Sequence, residues 1–425
     1  MFTVQNAQSL TGLGLTMLIC WLVSENRRRF PWKLALGAIA VQLSLVLVLF
    51  GAPTARGVLQ AMAGGVEALG AATGDGTRFV FGFLAGGAQP YPVGDPASLY
   101  ILAFHVLPVI LVVCALSALL WHWRILKWIT RGFGLVFQRT LGLRGPPALA
   151  AAATIFMGQV EGPIFIRAYL DLLTRSELFM LVAVGMSCVA GSTMVAYATI
   201  LKGVLPDAAA HVLTASIISA PAGVLLARII VPAEPDEARQ DLVLAGDKTY
   251  ASSVDALIRG TSDGLTVVLN VGATLIVIVA LVSIADRLLG LLPAVGGQPL
   301  GMVRIFGAVF APLAWSLGIP WSEARTAGSL LGTKLVLTEF SAFIQMAKIG
   351  PQALSERSRM IMTYALCGFA NVASVGINVA GYSVLAPDRR DEVIALVWKA
   401  MLAGFLATCM TASIIGALPA SLFGR

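Results

Sequence analysis

The sequence predicts an all-α polytopic membrane protein, with about eight transmembrane helices plus two re-entrant helical hairpins in an inverted repeat. Three observations predict it. Of the 425 residues, 58% are hydrophobic and only 12% charged, and the mean hydropathy is +0.86. A soluble domain carries roughly a quarter of its residues as charges, so lipid is the solvent here. The apolar runs are continuous over roughly 20 residues, as in membrane helices, whereas barrel strands alternate over roughly 10. Finally, two apolar segments carry polar residues at their middles, in the same order.

Spans one and two fall at about 9–24 and 34–51. A Gly/Ala-rich amphipathic stretch follows, about 55–85, which Gly74, Asp75 and Arg78 make too broken to cross. Span three is 98–121, and the basic stretch 122–144 reads as a helix lying in the interface. The first odd segment, 146–173, holds Gly158, Gln159, Glu161, Gly162 and Pro163. Spans four, five and six are 178–203, 208–230 and 264–285, with a polar loop from Glu234 to Lys248 between the last two. The second odd segment, 322–347, holds Gly332, Thr333, Lys334 and Glu339, before spans seven (358–386) and eight (393–421). The chain divides into 1–144, N-terminal spans and part of a scaffold, then a first repeat at 145–260 and a second at 261–425.

Charge sets the orientation. The net charge of +7 is concentrated in loops, with Arg27, Arg28, Arg29 and Lys33 in one cluster and Arg124, Lys127, Arg131, Arg139 and Arg144 in another. Loops rich in Lys and Arg stay in the cytoplasm, so this is topology rather than a nucleic-acid surface. The first apolar run, Leu10 to Val23, precedes its basic cluster, the reverse of a secretory signal, and is read as a retained span. Both termini then lie outside the cytoplasm, in a multi-pass arrangement in the inner (plasma) membrane. For the alternation to hold, each odd segment must leave on the side it entered, which makes it a hairpin. Irregular backbone at membrane depth is tolerable only where protein or a wet cavity surrounds it.

The repeat runs Glu161, Ser176–Glu177, then Ser187, Gly191 and Ser192. Its second copy runs Glu339, Ser355–Glu356, then Gly368, Asn371 and Ser374. Inverted repeats with interrupted helices place a binding site at the midplane of a secondary transporter. Charged groups inside a bilayer cost several kcal/mol and mark function by default. Ion pairs within the hairpins, Glu339 with Lys334 or Glu161 with Arg167, are the competing reading, but matched carboxylates in both repeats argue against it. No nucleophile motif or phosphate loop accompanies them, so an enzyme is not expected. Cys20, Cys114, Cys188, Cys367 and Cys409 lie in apolar runs without a CxxC pair, and His105, His122 and His211 are far apart. Neither a disulfide framework nor a transition-metal site is indicated, and no cofactor. Gln159, Asn371 and Ser374 add donors and acceptors suited to a neutral, hydroxyl-rich, heteroaromatic solute. Phe369 could pack on a flat ring, against an ordinary packing role in its helix.

Gly158-Gln159-Val160-Glu161-Gly162-Pro163 resembles the first-hairpin motif of concentrative nucleoside transporters, GQTE-x-P. Ser176-Glu177-Leu178, Ala190-Gly191-Ser192, Gly332-Thr333-Lys334 with Glu339-Phe340, and Cys367-Gly368-Phe369-Ala370-Asn371 follow in that family's order, from about residue 145 to the C-terminus. Residues 1–144 match in layout, like the short bacterial form. The resemblance implies a homotrimeric, elevator-type symporter that imports a nucleoside on a sodium or proton gradient, with no nucleic-acid partner. It places Gln159, Val160 and Glu161 at the base, Glu339, Asn371 and Ser374 at the ribose, and Phe369 and Thr193 along the pocket. A sodium site maps onto Thr154, Met157, Cys188 and Val189, with Met157 and Val189 giving backbone carbonyls. The sequence departs from the family at Val160 (usually Thr), Thr154 (usually Asn) and Cys188 (usually Ser or Thr). A thiol is a poor ligand for a hard cation, which makes proton coupling through Glu161 or Glu339 the alternative. A related symporter for a nucleobase or modified nucleoside, or a non-transporting gate-like protein, are the remaining readings.

Overall fold

Apolar runs that cannot leave backbone groups unpaired in lipid close into helices. The computed structural model of the protein is mostly helical, with no strand among the residues it describes. Those are 4–90, 101–143, 145–159, 161–164, 166–233, 250–295, 297 and 299–423. In chain order come α1 (Val4–Leu22), α2 (Trp32–Gly51), α3 (Pro53–Phe81), α4 (Leu102–His105), α5 (Leu107–His122) and α6 (Ile125–Leu141). Then follow α7 (Gly145–Met157), α8 (Glu161–Ile164), α9 (Arg175–Ser187), α10 (Gly191–Leu201), α11 (Ala208–Ile230) and α12 (Ser253–Leu289). The chain closes with α13 (Met302–Ser316), α14 (Trp321–Val336), α15 (Glu339–Lys348), α16 (Glu356–Leu366), α17 (Val372–Leu385) and α18 (Arg390–Ala417).

Five helical stretches are long and apolar enough to cross a membrane, Trp32–Gly51, Leu102–His122, Ala208–Ile230, Ser253–Leu289 and Pro387–Ala417, and α13 with α14 forms a sixth pair bent by 116°. The expected spans four and seven are not continuous. Each is two helices, α9–α10 and α16–α17, parted by three and five non-helical residues respectively. The apolar helix α13 lies in a stretch that hydropathy reading left unassigned. The stretch expected to be broken near Gly74 is one uninterrupted helix, α3. Its glycines lower helix propensity without preventing helix where neighbours or lipid support it.

Within the basic stretch 122–144, expected to be helical, the chain forms α6. Leu126, Thr130, Gly134, Phe137 and Leu141 recur at helical spacing and are buried, while Trp128 stays 79% exposed. Its last turn leads, beyond Arg144, which lies outside the described residues, into hairpin one. That hairpin is α7 and α8 joined at Gly158, whose φ of +109° is open to glycine alone at low cost. Hairpin two is α14 and α15, joined at Leu337–Thr338, with Thr338 capping α15 through Ser341 N at 3.2 Å.

Burial grades the helices. The apolar window of α11 is 94% buried and that of α12 0%, so α11 is a core element and α12, packed along α5, faces outward. At one end of the bundle Glu25 reaches Arg175 at 3.0 Å and Lys399 at 2.9 Å, and its N–H donates to the Ile230 carbonyl at 2.9 Å. The loop after α1, the start of α9, the end of α11 and the early turns of α18 therefore meet at one membrane face, beside the basic cluster Arg27–Lys33.

Candidate functional site

The site grows from the two helix breaks. At Cys188–Ala190 and Cys367–Ala370 the chain leaves the helix, and the breaks cross so closely that the Phe369 N–H donates to the Cys188 carbonyl at 3.2 Å. Gly368 permits this. A Cβ there would stand 2.9 Å from the Ser187 carbonyl oxygen and 2.6 Å from Thr408 Cγ2. Broken helices leave carbonyls and N–H groups without intrahelical partners, and these face whatever lies between.

Asn371 caps α17. Its Oδ1 accepts from Ser374 N at 2.8 Å, while its Nδ2 donates to Glu339 Oε2 at 2.7 Å. Glu339 opens α15, where the helix dipole favours an anion. It is 5% exposed, and its Oε1 accepts from the Tyr197 hydroxyl at 2.7 Å. Tyr197 stands one turn beyond Thr193 on α10, and its ring stacks on Phe343 at 4.6 Å. Hydrogen bonds to a charged group contribute about 1.5–3 kcal/mol each, which offsets part of the cost of burying this carboxylate. Each oxygen keeps capacity for a further donor.

A second group sits beside the first. Gln159 Nε2 donates to Ser374 Oγ at 3.3 Å, and Asn378 Nδ2 donates to Gln159 Oε1 at 2.9 Å. Hairpin one is thereby pinned to α17. Asn378 Oδ1 is buried and makes no hydrogen bond among the described residues. Asn371, Ser374 and Asn378 form a polar stripe at helical spacing on an otherwise apolar helix. Of the predicted solute set, Gln159, Glu339, Asn371 and Ser374 are thus linked in space. Thr193 turns its hydroxyl to the Ala190 carbonyl at 2.8 Å, and Phe369 is half-buried at the crossing. Val160 and the side chain of Glu161 lie outside the described residues. Lys334 makes no ion pair with Glu339 among the described residues; its ammonium bonds elsewhere, so that alternative for Glu339 falls.

The candidate cation set occupies the end of α7 and the first break. Thr154 Oγ1 donates to the Ala150 carbonyl at 2.8 Å, and a Cβ on Gly162 would stand 2.3 Å from that same oxygen. The arms of hairpin one touch through this glycine. Ser216 on α11 joins the halves: its Oγ lies 3.2 Å from the Ile155 carbonyl oxygen and 3.3 Å from that of Val189, and accepts from Val189 N at 3.3 Å. Cys188 Sγ points to the Ser216 carbonyl at 3.6 Å.

Sequence reading missed Tyr197, Asn378 and Ser216. The α17 stripe could have given Asn378. Tyr197 and Ser216 belong to helices whose apolar composition hides single polar contacts. The doublets Ser176–Glu177 and Ser355–Glu356 also differ in role. Thr174 and Glu177 form the capping box of α9, Ser176 bonding instead to the Val231 carbonyl at 2.9 Å, whereas Ser355 itself caps α16.

Two interrupted helices, two hairpins and a buried acid between them have known counterparts. Family profiles described as the Na+ dependent nucleoside transporter N-terminus and C-terminus match residues 11–84 and 211–416, and one described as Gate, nucleoside recognition, matches 103–204. Nucleoside permease NupC of Helicobacter pylori is 34% identical over 96% of both chains. The chain belongs to the concentrative nucleoside transporter family. Mouse solute carrier family 28 member 3 is 30% identical over 97% of this chain and 59% of its own length. The solved structure of the concentrative transporter CNTnw in an inward-facing, substrate-bound state superposes with a TM-score of 0.88 at 32% identity, covering 99% of each chain. Variants of CNTnw have been solved in outward-facing and intermediate states.

Proposed function

We propose that this concentrative nucleoside transporter is a symporter that imports nucleosides on a cation gradient. The observation that carries the reading is the Glu339 carboxylate, buried at the mouth of hairpin two and held by Tyr197 and Asn371 at 2.7 Å each. A fixed acceptor beside the amide of Asn371 and the hydroxyl of Ser374 matches the vicinal hydroxyls of a ribose. Gln159, Val160 and Glu161, on the opposing hairpin, take the base, with Phe369 and Thr193 along the pocket. Because both hairpins contribute, solute binding draws them together, and the whole set moves as one unit across the membrane in an elevator-type cycle.

Thr154, Met157, Cys188 and Val189 form the proposed cation site. Ser216 supports it by bringing a hydroxyl oxygen to a set in which Cys188 offers only sulfur. Sodium there is held more weakly than by the family's usual residues, and proton coupling through Glu161 or Glu339 is the competing mode. The unburied apolar length of α12 supports assembly as a homotrimer in the inner (plasma) membrane, with both termini outside the cytoplasm. A nucleobase or modified nucleoside is the second reading, favoured by Val160, which lacks the hydroxyl usual at that position.

Uptake of labelled uridine and adenosine into proteoliposomes, under inward sodium or inward proton gradients, tests this. Accumulation under either gradient supports nucleoside symport and names the ion. No accumulation of either nucleoside under both gradients rejects it in favour of the second reading.

A further inference from the structure

Lys334 is fully buried on α14, one arm of hairpin two. Its Nζ donates to the Ala365 carbonyl at 2.8 Å and to Thr408 Oγ1 at 2.6 Å, and lies 5.5 Å from the centre of the Phe405 ring. Ala365 is in the last turn of α16, just before the break. In a continuous helix its carbonyl would accept from the Phe369 N–H, but that group is given to Cys188 across the repeat interface. The break thus exposes a carbonyl at the negative end of a helix, in a dry interior. Such a group demands a cationic or hydrogen-bonding partner.

The first repeat has the same construction. Hairpin arm α7, the break after α9 and the α11 hydroxyl of Ser216 converge on the carbonyls of Ile155 and Val189. In the second repeat, hairpin arm α14, the break after α16 and the α18 hydroxyl of Thr408 converge likewise, Thr408 lying against Gly368 of the break. The elements correspond, hairpin arm, helix break and hydroxyl-bearing helix, but the bonds differ. Ser216 Oγ lies on main-chain oxygens of the arm and the break, whereas Thr408 Oγ1 donates to the Phe405 carbonyl and accepts from the Lys334 ammonium, which carries a charge into the second set. We propose that the second repeat contains a monovalent-cation site filled by the chain's own Lys334 ammonium, the counterpart of the exchangeable cation site between Thr154 and Val189. This rests on the cation-coupled reading given above.

Two consequences follow. The tethered charge holds hairpin two to the α16 break in every state, so hairpin two needs no ion to keep its place, while hairpin one does. And of two sites equivalent by the repeat, only one exchanges its ion, so the pair carries one cation per nucleoside. Lys334 is a positioning residue: through the α16 break it sets Asn371, and through α14 it sets Glu339.

The test is chemical rescue. Lys334→Ala opens a space lined by the Ala365 carbonyl, Thr408 Oγ1 and Phe405, sized for a small ammonium. In purified full-length protein without nucleoside, the variant is expected to melt several degrees below wild type. Methylammonium at tens of millimolar should raise its melting temperature, leaving wild type unmoved. Tetramethylammonium, which has no N–H donor, should do nothing. Uridine affinity should fall about tenfold in the variant, an effect near 1.4 kcal/mol, and return with methylammonium. Thr408→Val gives a milder form of the same defect, with the lysine in place. Wild-type melting and affinity in both variants would overturn the proposal, as would a loss in Lys334→Ala that methylammonium, ammonium and sodium all fail to reverse. If Lys334→Ala does not fold even with methylammonium, wild-type behaviour of Thr408→Val overturns it and a weakened Thr408→Val upholds it. Because the melting readout uses no nucleoside, a wrong substrate class leaves this result standing.

Discussion

Asn371 donates to Glu339 at 2.7 Å with one end of its amide and caps α17 with the other, accepting from Ser374 N at 2.8 Å. One side chain therefore both starts a helix after the break and fixes the acid beside it. The two roles separate by substitution. Asn371→Ser keeps a good cap and loses the amide donor, so stability is expected to fall only by the unpaired Glu339 oxygen, about 1–3 kcal/mol, while uridine affinity falls. Asn371→Ala loses both, with a further cost of about 0.5–2 kcal/mol in stability. Melting and binding curves on the two variants measure the difference.

Glu339→Gln should abolish uptake while leaving membrane insertion intact, because an amide cannot replace a carboxylate that accepts from Tyr197, Asn371 and a sugar hydroxyl together. Wild-type transport by that variant would remove Glu339 from the ribose.

Tyr197→Phe deletes one donor and leaves a buried carboxylate oxygen short of a partner, at about 1–3 kcal/mol. Initial uptake rates are expected to fall about 5- to 150-fold, on the scale of tenfold per 1.4 kcal/mol. A smaller change would mean that Glu339 gains its stability from the α15 terminus alone.

Val160→Thr supplies the hydroxyl usual in the family at this position and, on the proposed reading, should change the uridine-to-adenosine uptake ratio. An unchanged ratio would take this position out of base recognition.

Glu25 supplies the pH dependence. Partial burial raises its carboxyl, but the hydrogen bonds from Lys399 and Arg175 outweigh that, and it titrates below its ordinary value in the folded protein. A group lowered by folding stabilises above its unfolded value, about 4.3 for Glu. That contribution is lost as the pH falls through the folded value. In detergent, the melting-temperature gap between wild type and Glu25→Gln should be full at neutral pH and shrink below about pH 4. A gap independent of pH would show that the two bridges contribute nothing.

The hairpins and the pairing of repeats were legible because polar residues in apolar runs stand out: Gln159, Glu339 and Asn371 each sit in a short polar patch flanked by long apolar stretches. Helix interruption was less so. Cys188 to Ala190 carries no glycine or proline of its own, and the Gly368 segment it meets is far away in sequence. The α13 helix escaped because it is short and its partner α14 turns back at 116°. Tyr197 and Ser216 acquire their roles from residues more than 25 positions away, which no local pattern encodes.

The bond from Phe369 N–H to the Cys188 carbonyl has a consequence for how such a protein can vary. It joins main chain to main chain, so any exchange of side chain that keeps the 369 N–H and the close approach at Gly368 leaves it in place. The side chains around this rivet are free to change while it holds, Cys188 among them, since only the Cys188 carbonyl takes part. The link between the two breaks is written in backbone, and it holds wherever the 369 N–H and the room at Gly368 are kept.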